Sequence, residues 1–272
     1  MSTTLCILGC GTMGKAILSG ILSSDDSTVP SNFIACVKRP ASKDRLHSLF
    51  PKLRIFVGDN VAGVNAADIV LLGSKPQICK EILSQDGMRE ALEGKLLISI
   101  LAGTRLSQLH ELCNPSTHII RAMPNTPTKI RQGMTVLVPD NTVTDLERDL
   151  TECIFKNIGL VTFLEEKHID IATALCGSGP AFICTILEAM TDGGVMMGLP
   201  RPIAQELVAQ SMQGTARMVL AGEHPALIRD DVATPGGCTI GGLLAMEDGK
   251  IRSTLARAVQ QAAIVAEELG RK

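Results

Sequence analysis

Near its start the chain carries three glycines at fixed spacing, Gly9-Cys10-Gly11-Thr12-Met13-Gly14. They stand between an apolar run, Leu5–Leu8, and a segment in which Met13, Ile17, Leu18, Ile21 and Leu22 recur at helical spacing. A strand that enters a helix through such a turn leaves few folds open. Gly9 permits the tight turn, Gly11 lets a pyrophosphate approach the backbone, and Gly14 lets helix and strand pack closely. The helix N-terminus then offers free amide protons and a partial positive charge to phosphate. The pattern predicts a dinucleotide-binding, Rossmann-type sheet.

The rest of the first half repeats this alternation. Strands are expected at Phe33–Val37, Arg54–Val57, Ile69–Leu72, Leu96–Ile100 and His118–Arg121, with helical patterns between them. That order gives a parallel sheet with helices on both faces, which Met134–Val138 and Leu160–Phe163 extend. After Glu165 the chain turns helical, with long segments at Ala181–Met197, Arg201–Ala221 and Ile251–Leu269. The fold class is therefore α/β: a doubly wound sheet over residues 1–164, then an all-helical domain over 165–272. Helices rich in Ala, Met, Leu and Val in so short a domain are expected to bury a face against a second subunit.

The end of the second strand separates the two nicotinamide cofactors. An NAD site usually has Asp or Glu there, to hold the ribose hydroxyls. Here the run is Ala35-Cys36-Val37-Lys38-Arg39. Lys38 and Arg39 suit a 2′-phosphate, with Ser42 adding a hydroxyl, so NADPH is expected and NADH is the alternative. Two further strand ends belong to this site, Gly73-Ser74-Lys75-Pro76 and Leu101-Ala102-Gly103, because ligands of open parallel sheets bind outside the carboxyl ends of strands. Asn60 starts the helix after the third strand, where it reads as a helix cap.

Composition excludes several classes. A net charge of −2 gives no basic field for nucleic acid. Trp and Tyr are absent, which removes stacking platforms for bases. No apolar stretch approaches the roughly 20 residues of a membrane span, and no basic flank precedes Leu5 as in a signal peptide. Nine cysteines, none in a Cys-x-x-Cys pair, are expected as reduced thiols in the cytoplasm. No His, Cys, Asp and Glu cluster has metal-ligand spacing.

Two Gly-rich stretches, Cys176-Gly177-Ser178-Gly179-Pro180-Ala181-Phe182 and Asp231-Val232-Ala233-Thr234-Pro235-Gly236-Gly237-Cys238-Thr239-Ile240, precede helices. Small residues and hydroxyls at a helix N-terminus suit a carboxylate, though each stretch also reads as a tight turn between helices. Together with Arg121-Ala122-Met123-Pro124-Asn125-Thr126-Pro127, Asp192-Gly193-Gly194-Val195 and Met197-Gly198-Leu199-Pro200, they match the pyrroline-5-carboxylate reductase family in order and spacing. The chain resembles that family over roughly residues 5 to 269.

The resemblance implies reduction of L-1-pyrroline-5-carboxylate to L-proline by NADPH, sometimes NADH, and a homodimer through C-terminal helices, often assembled into larger rings. It carries cofactor contacts onto Gly9 to Gly14, Asn60, Lys75 and Ala102. It carries substrate contacts onto Ser178, Gly236, Gly237, Cys238 and Thr239, and Gly179 next to Ser178 is expected to line the same site. Three positions depart from the family pattern. Cys176 stands where Ser is frequent and Cys238 where Ala or Thr is usual. Asp231 stands where Asn, Gln or Met is common, and a carboxylate there disfavours direct contact with the substrate anion. Reduction of an imine needs a hydrogen-bonding group near the ring nitrogen, and Thr239 is the candidate. Hydroxyacid dehydrogenases of the same plan carry a catalytic Lys in the helix after their second Gly-rich stretch. Here that helix reads Pro180-Ala181-Phe182-Ile183-Cys184-Thr185, without Lys. A catalytically silent NADPH-binding regulator is the remaining alternative, and it has no need of the Pro235–Thr239 stretch.

Overall fold

Alternate residues of β1 (Thr4–Leu8) enter two different cores, as period-2 side-chain alternation in a doubly covered strand requires. Leu5 and Ile7 join one buried cluster, Cys6 and Leu8 the other. The computed structural model describes residues 3–24 and 28–270. Helix α1 (Thr12–Leu22) follows β1 and packs Ile17, Leu18 and Ile21 on the Leu5 face. Next come β2 (Asn32–Val37), α2 (Pro40–Leu49), β3 (Arg54–Val57), α3 (Asn60–Asn65) and β4 (Ile69–Leu72). A 3-10 turn, Pro76–Ile78, leads to α4 (Cys79–Leu83) and α5 (Met88–Ala91), then β5 (Leu96–Ser99), α6 (Leu106–Leu112) and β6 (His118–Pro124). Helices α3 to α6 cover the other face, where Val64, Leu83, Met88, Leu92 and Leu109 are buried with Cys6 and Leu8. The strands β7 (Gly133–Pro139) and β8 (Gly159–Phe163), joined by α7 (Asp145–Lys156), complete an eight-stranded sheet in the order β3-β2-β1-β4-β5-β6-β7-β8.

The expected parallel sheet needs one correction. β6 and β7 pair antiparallel, Ala122 facing Leu137, while β7 and β8 are again parallel. The reason is the connection. A five-residue 3-10 turn, Thr126–Ile130, and Arg131 at φ +57° send the chain straight back, too short a link for a parallel crossover.

Beyond β8 a 3-10 turn and α8 (Ile169–Ala172) lead into a π-helical turn, Thr173–Gly177. Ile169 and Ala172 are buried against Val136 and Val138 of the sheet. The helices that follow are α9 (Gly179–Met196), α10 (Arg201–Leu220), α11 (Pro225–Val232), α12 (Cys238–Asp248) and α13 (Ile251–Leu269). Two compact units result, one of residues 1–177 with 262–272, the other of 178–261. The joint expected near residue 164 follows the change of composition. The first compact unit runs on to Gly177 because α8 still packs on the sheet. In the second unit α9 and α10 lie together, and Gly194 leaves only 3.0 Å between a notional Cβ and that of Ala204. Met190 and Met196 on α9, Leu207 and Leu220 on α10, and Leu244 on α12 are exposed. The helical run Glu166–Met196 is long and apolar enough, by length and composition, to cross a membrane. The expectation of no such stretch is corrected here: Thr173, Gly177-Ser178-Gly179-Pro180 and Thr185 break up its apolar residues in the sequence.

Candidate active site

The steric roles expected of Gly9 and Gly14 are visible in the packing. Gly9 has φ +83°, and a Cβ there would meet the Cα and N of Ser74 at 2.9 Å. At Gly14 the notional Cβ meets Ile7 Cγ2 at 3.2 Å, the close packing of α1 on β1. Gly11 is different: its nearest neighbour is Gly9 O at 4.0 Å, so the space over it is open to a ligand. Gly11 is also the N-cap of α1 and supplies no side-chain cap, which leaves the first amides of the helix to bind something else. Cys10 points into the core, and burial pushes its thiol up to about 11, so it is no nucleophile.

Around this cradle lies a cleft of about 430 Å³ at the carboxyl ends of β1, β2 and β4. It opens where the strand order reverses between β1 and β4, the place a doubly wound sheet binds its ligand. Gly9, Cys10, Gly11, Lys38, Asn60, Ser74 and Lys75 all line it, together with Ser42 and Gly73. Thr12, Met13 and Gly14 form the first turn of α1 beside it. Arg39 is exposed at the N-cap of α2, and Pro76 opens the 3-10 turn; neither is among the lining residues. Ala102 and Gly103 lie past β5, outside the lining, and Gly103 at φ +74° packs on Leu269. A larger hollow of about 690 Å³ sits among Phe33, Leu53 and Arg54, at the amino ends of the strands, the wrong edge for a dinucleotide.

Sequence reasoning missed the far wall of the cleft, formed by Ile78, Glu81, Ile82 and Gln85. Lys38 Nζ lies 3.4 Å from Glu81 Oε1, and Asn60 Nδ2 donates to Gln85 Oε1 at 3.2 Å. Asn60 is therefore not the cap of α3. Asp59 is, its Oδ1 accepting from the Ala62 amide at 2.9 Å, which frees the Asn60 side chain for the cleft. The signal was present in the polar pair Glu81 and Gln85, one helical turn apart just after the Gly73–Pro76 stretch.

The second compact unit holds the second Gly-rich stretch and the first from Ser178 onward. Ser178 is the N-cap of α9 and Gly179 its first residue, with no side-chain cap bond. Thr234-Pro235-Gly236-Gly237 is a turn closed by the Gly237 amide on Thr234 O at 3.0 Å. Pro235 leads it and Gly236 takes φ +69°, the requirements of a type II turn. Gly237 is the N-cap of α12, and a Cβ there would meet Thr234 Oγ1 at 2.5 Å. Cys238 and Thr239 form the first turn, again without a side-chain cap. The turn thus ends in an uncapped helix N-terminus flanked by hydroxyls, a fit for a small carboxylate.

Comparison with known proteins agrees with both halves. The family model described as pyrroline-5-carboxylate reductase dimerisation matches residues 166–269. The model described as NADP oxidoreductase coenzyme F420-dependent matches residues 4–103. A pyrroline-5-carboxylate reductase of Schizosaccharomyces pombe is 50 % identical over 98 % of this chain and 99 % of its own length. This chain belongs to the pyrroline-5-carboxylate reductase family. Its relative in Synechocystis is 37 % identical over the whole of both chains. The solved pyrroline-5-carboxylate reductase of Coxiella burnetii superposes with a TM-score of 0.90 at 28 % identity, covering 100 % of each chain. The Plasmodium falciparum pyrroline carboxylate reductase, solved with NADP bound, gives 0.85 at 29 % identity over 98 % of each.

All three departures from the family pattern have a visible setting. Cys176 sits in the π-helical turn with its thiol raised by burial, and Cys238 is exposed in the first turn of α12. Asp231 is exposed near the end of α11, before the turn that positions Gly237. His168 and His224 take capping positions; His224 Nδ1 accepts from the Ala226 amide at 3.2 Å.

Proposed function

We propose that this chain reduces the C=N bond of L-1-pyrroline-5-carboxylate to give L-proline, with NADPH as donor and NADH as the alternative. The observation that carries this reading is the match along nearly the whole chain to pyrroline-5-carboxylate reductases, 50 % identical in one case. The geometry supports it at both stretches. The cradle at Gly9, Gly11 and Gly14 has the shape a pyrophosphate needs, since a Cβ is excluded at Gly9 and space is open over Gly11. Lys38 and Arg39 are the groups for a 2′-phosphate, and Ser74, Lys75, Pro76, Ala102 and Gly103 lie along the strand ends the rest of the dinucleotide would follow. When bound, the nicotinamide cofactor supplies the hydride; the protein orients its partners and excludes competing reactions.

Ser178, Gly179 and the Gly236–Thr239 backbone are assigned to the substrate carboxylate. Thr239 is assigned to the ring nitrogen, donating a hydrogen bond or relaying a proton from water. The helical domain, taken as residues 165–272, joins two copies, and its exposed Met and Leu side chains are the surface that association would bury. A larger ring would be built from such dimers. None of the nine cysteines stands in a Cys-x-x-Cys pair, a pattern that suits reduced thiols in a compartment such as the cytosol.

The test is the oxidation of NADPH, followed by absorbance, with L-1-pyrroline-5-carboxylate as substrate and NADH run in parallel. Rapid oxidation with proline as product is expected, and the cofactor ratio reports on Lys38 and Arg39. Folded, dimeric protein that oxidises neither cofactor would overturn the reading.

A further inference from the structure

Among the described residues that line the cofactor cleft, Glu81 is the one acid, and it faces Lys38, the cation that reaches into the same cleft from the end of β2. Nothing about a dinucleotide cradle calls for a carboxylate there. A 2′-phosphate carries close to two negative charges at neutral pH, whereas the 2′-hydroxyl of NADH carries none. A carboxylate within reach of the phosphate's cation therefore acts on one cofactor and spares the other. It holds the Lys38 ammonium at 3.4 Å, so that a phosphate must share or displace it. It also repels the incoming dianion directly. Lys38 suits such a contest, because its ammonium is a point charge on a flexible stem and can swing between two acceptors.

From this geometry we infer that Glu81 is a specificity-determining residue: its carboxylate competes with the cofactor's 2′-phosphate for Lys38 and holds down the preference for NADPH over NADH. The inference rests on the reading that the 2′-phosphate meets Lys38. Lys38 and Glu81 are largely exposed, at 80 % and 62 % of their side-chain surface, so the effect is modest and screened by salt. Exposed pairs of this kind shift an equilibrium by roughly two- to fivefold.

The test is titration calorimetry of the full-length protein with adenosine 2′,5′-bisphosphate and with adenosine 5′-monophosphate, at low and high salt. The proteins compared are the wild type, Glu81→Gln, Lys38→Ala and the double variant. Glu81→Gln should tighten the bisphosphate roughly two- to fivefold, leave the monophosphate unchanged, lose the gain at high salt, and keep only the smaller part due to direct repulsion on the Lys38→Ala background. Equal weakening of both ligands would place Glu81 against the adenosine instead and overturn the inference, as would no change with either. If Lys38→Ala leaves bisphosphate binding unaltered, the assignment of the 2′-phosphate to Lys38 has failed, a result distinct from failure at Glu81 alone.

Discussion

Gly9 lies directly against the Ser74 backbone, so the turn after β1 and the turn after β4 share one wall of the cleft at the strand ends. A methyl group at Gly9 would stand 2.9 Å from Ser74 Cα and N at a φ of +83° that L-residues rarely adopt. Gly11 has no such neighbour within contact distance. The two glycines should therefore fail differently. Gly9→Ala is expected to cost about 1–3 kcal/mol of stability through strain and the forced shift of Ser74, and to weaken cofactor binding as well. Gly11→Ala should leave the melting temperature within a few degrees of wild type, yet weaken cofactor binding by blocking the backbone. Thermal unfolding alongside a dinucleotide titration separates the two, and equal loss of stability in both variants would contradict the assignment.

Arg121 is buried on β6, with 5 % of its side chain exposed, and donates through Nη1 to Glu166 Oε1 at 2.7 Å. Its Nε finds no partner among the described residues. The same Glu166 oxygen accepts the Leu106 amide at 2.8 Å. Glu166→Gln keeps an acceptor for Leu106 but strands the guanidinium charge. Breaking a buried pair from one side costs about 3–5 kcal/mol, and the partial exposure of Glu166 brings this to about 2–3 kcal/mol. Denaturant unfolding should show that loss in Glu166→Gln, and a smaller one in Arg121→Met combined with Glu166→Gln.

The strands were legible because their apolar runs are short, β-branched and bounded by Gly, Pro and Asp. Arg54–Val57 and Ile69–Leu72 fall where the pattern puts them. The direction of β7 was not legible, since an apolar run has no sense of travel and only the short Thr126–Ile130 link sets it. The Gly cradle was legible because each glycine answers a separate steric demand. The opposite wall of the cleft was not, because Glu81 on α4 and Gln85 just past its end line it only once the 3-10 turn at Pro76–Ile78 has set the course of that helix. Lys95 was overlooked altogether. Its ammonium donates to the Val64 and Ala67 carbonyls at 2.6 Å each and closes the end of α3, a tertiary contact no local pattern announces.

The start of α7 was missed despite a readable sign, Thr144-Asp145-Leu146-Glu147, which forms a capping box. Burial pushes the Glu147 carboxyl up. The Thr144 amide at 2.9 Å, the Thr144 hydroxyl at 2.8 Å and His118 Nδ1 at 2.7 Å outweigh that and hold it below the ordinary 4.5. A depressed carboxylate contributes stability that is complete above its unfolded value and is lost as pH falls through the folded one. The wild type should accordingly lose stability in a limb beginning near pH 4.5 and deepening below it. Glu147→Gln should start about 1 kcal/mol lower at pH 7 and show a shallower acid limb. Urea midpoints measured from pH 7 to pH 3 decide this, and parallel curves for the two proteins would rule out the role given to Glu147.

Thr239 separates a catalytic role from a merely structural one. It lies in the first turn of α12, after a type II turn whose geometry depends on Gly236 and Gly237 and not on the Thr239 side chain. Removing its hydroxyl should leave that turn and the helix N-terminus in place, because no side chain caps α12. The backbone amides assigned to the substrate carboxylate would then survive in Thr239→Ala. If the hydroxyl bonds the ring nitrogen or relays its proton, kcat should fall by about ten- to ten-thousandfold, the usual range for general acid–base assistance, while KM moves little. Thr239→Ser, which keeps the hydroxyl, should recover most of the rate. A rise in KM at unchanged kcat would move Thr239 from proton transfer to binding, and an unaltered Thr239→Ala enzyme would remove it from the site.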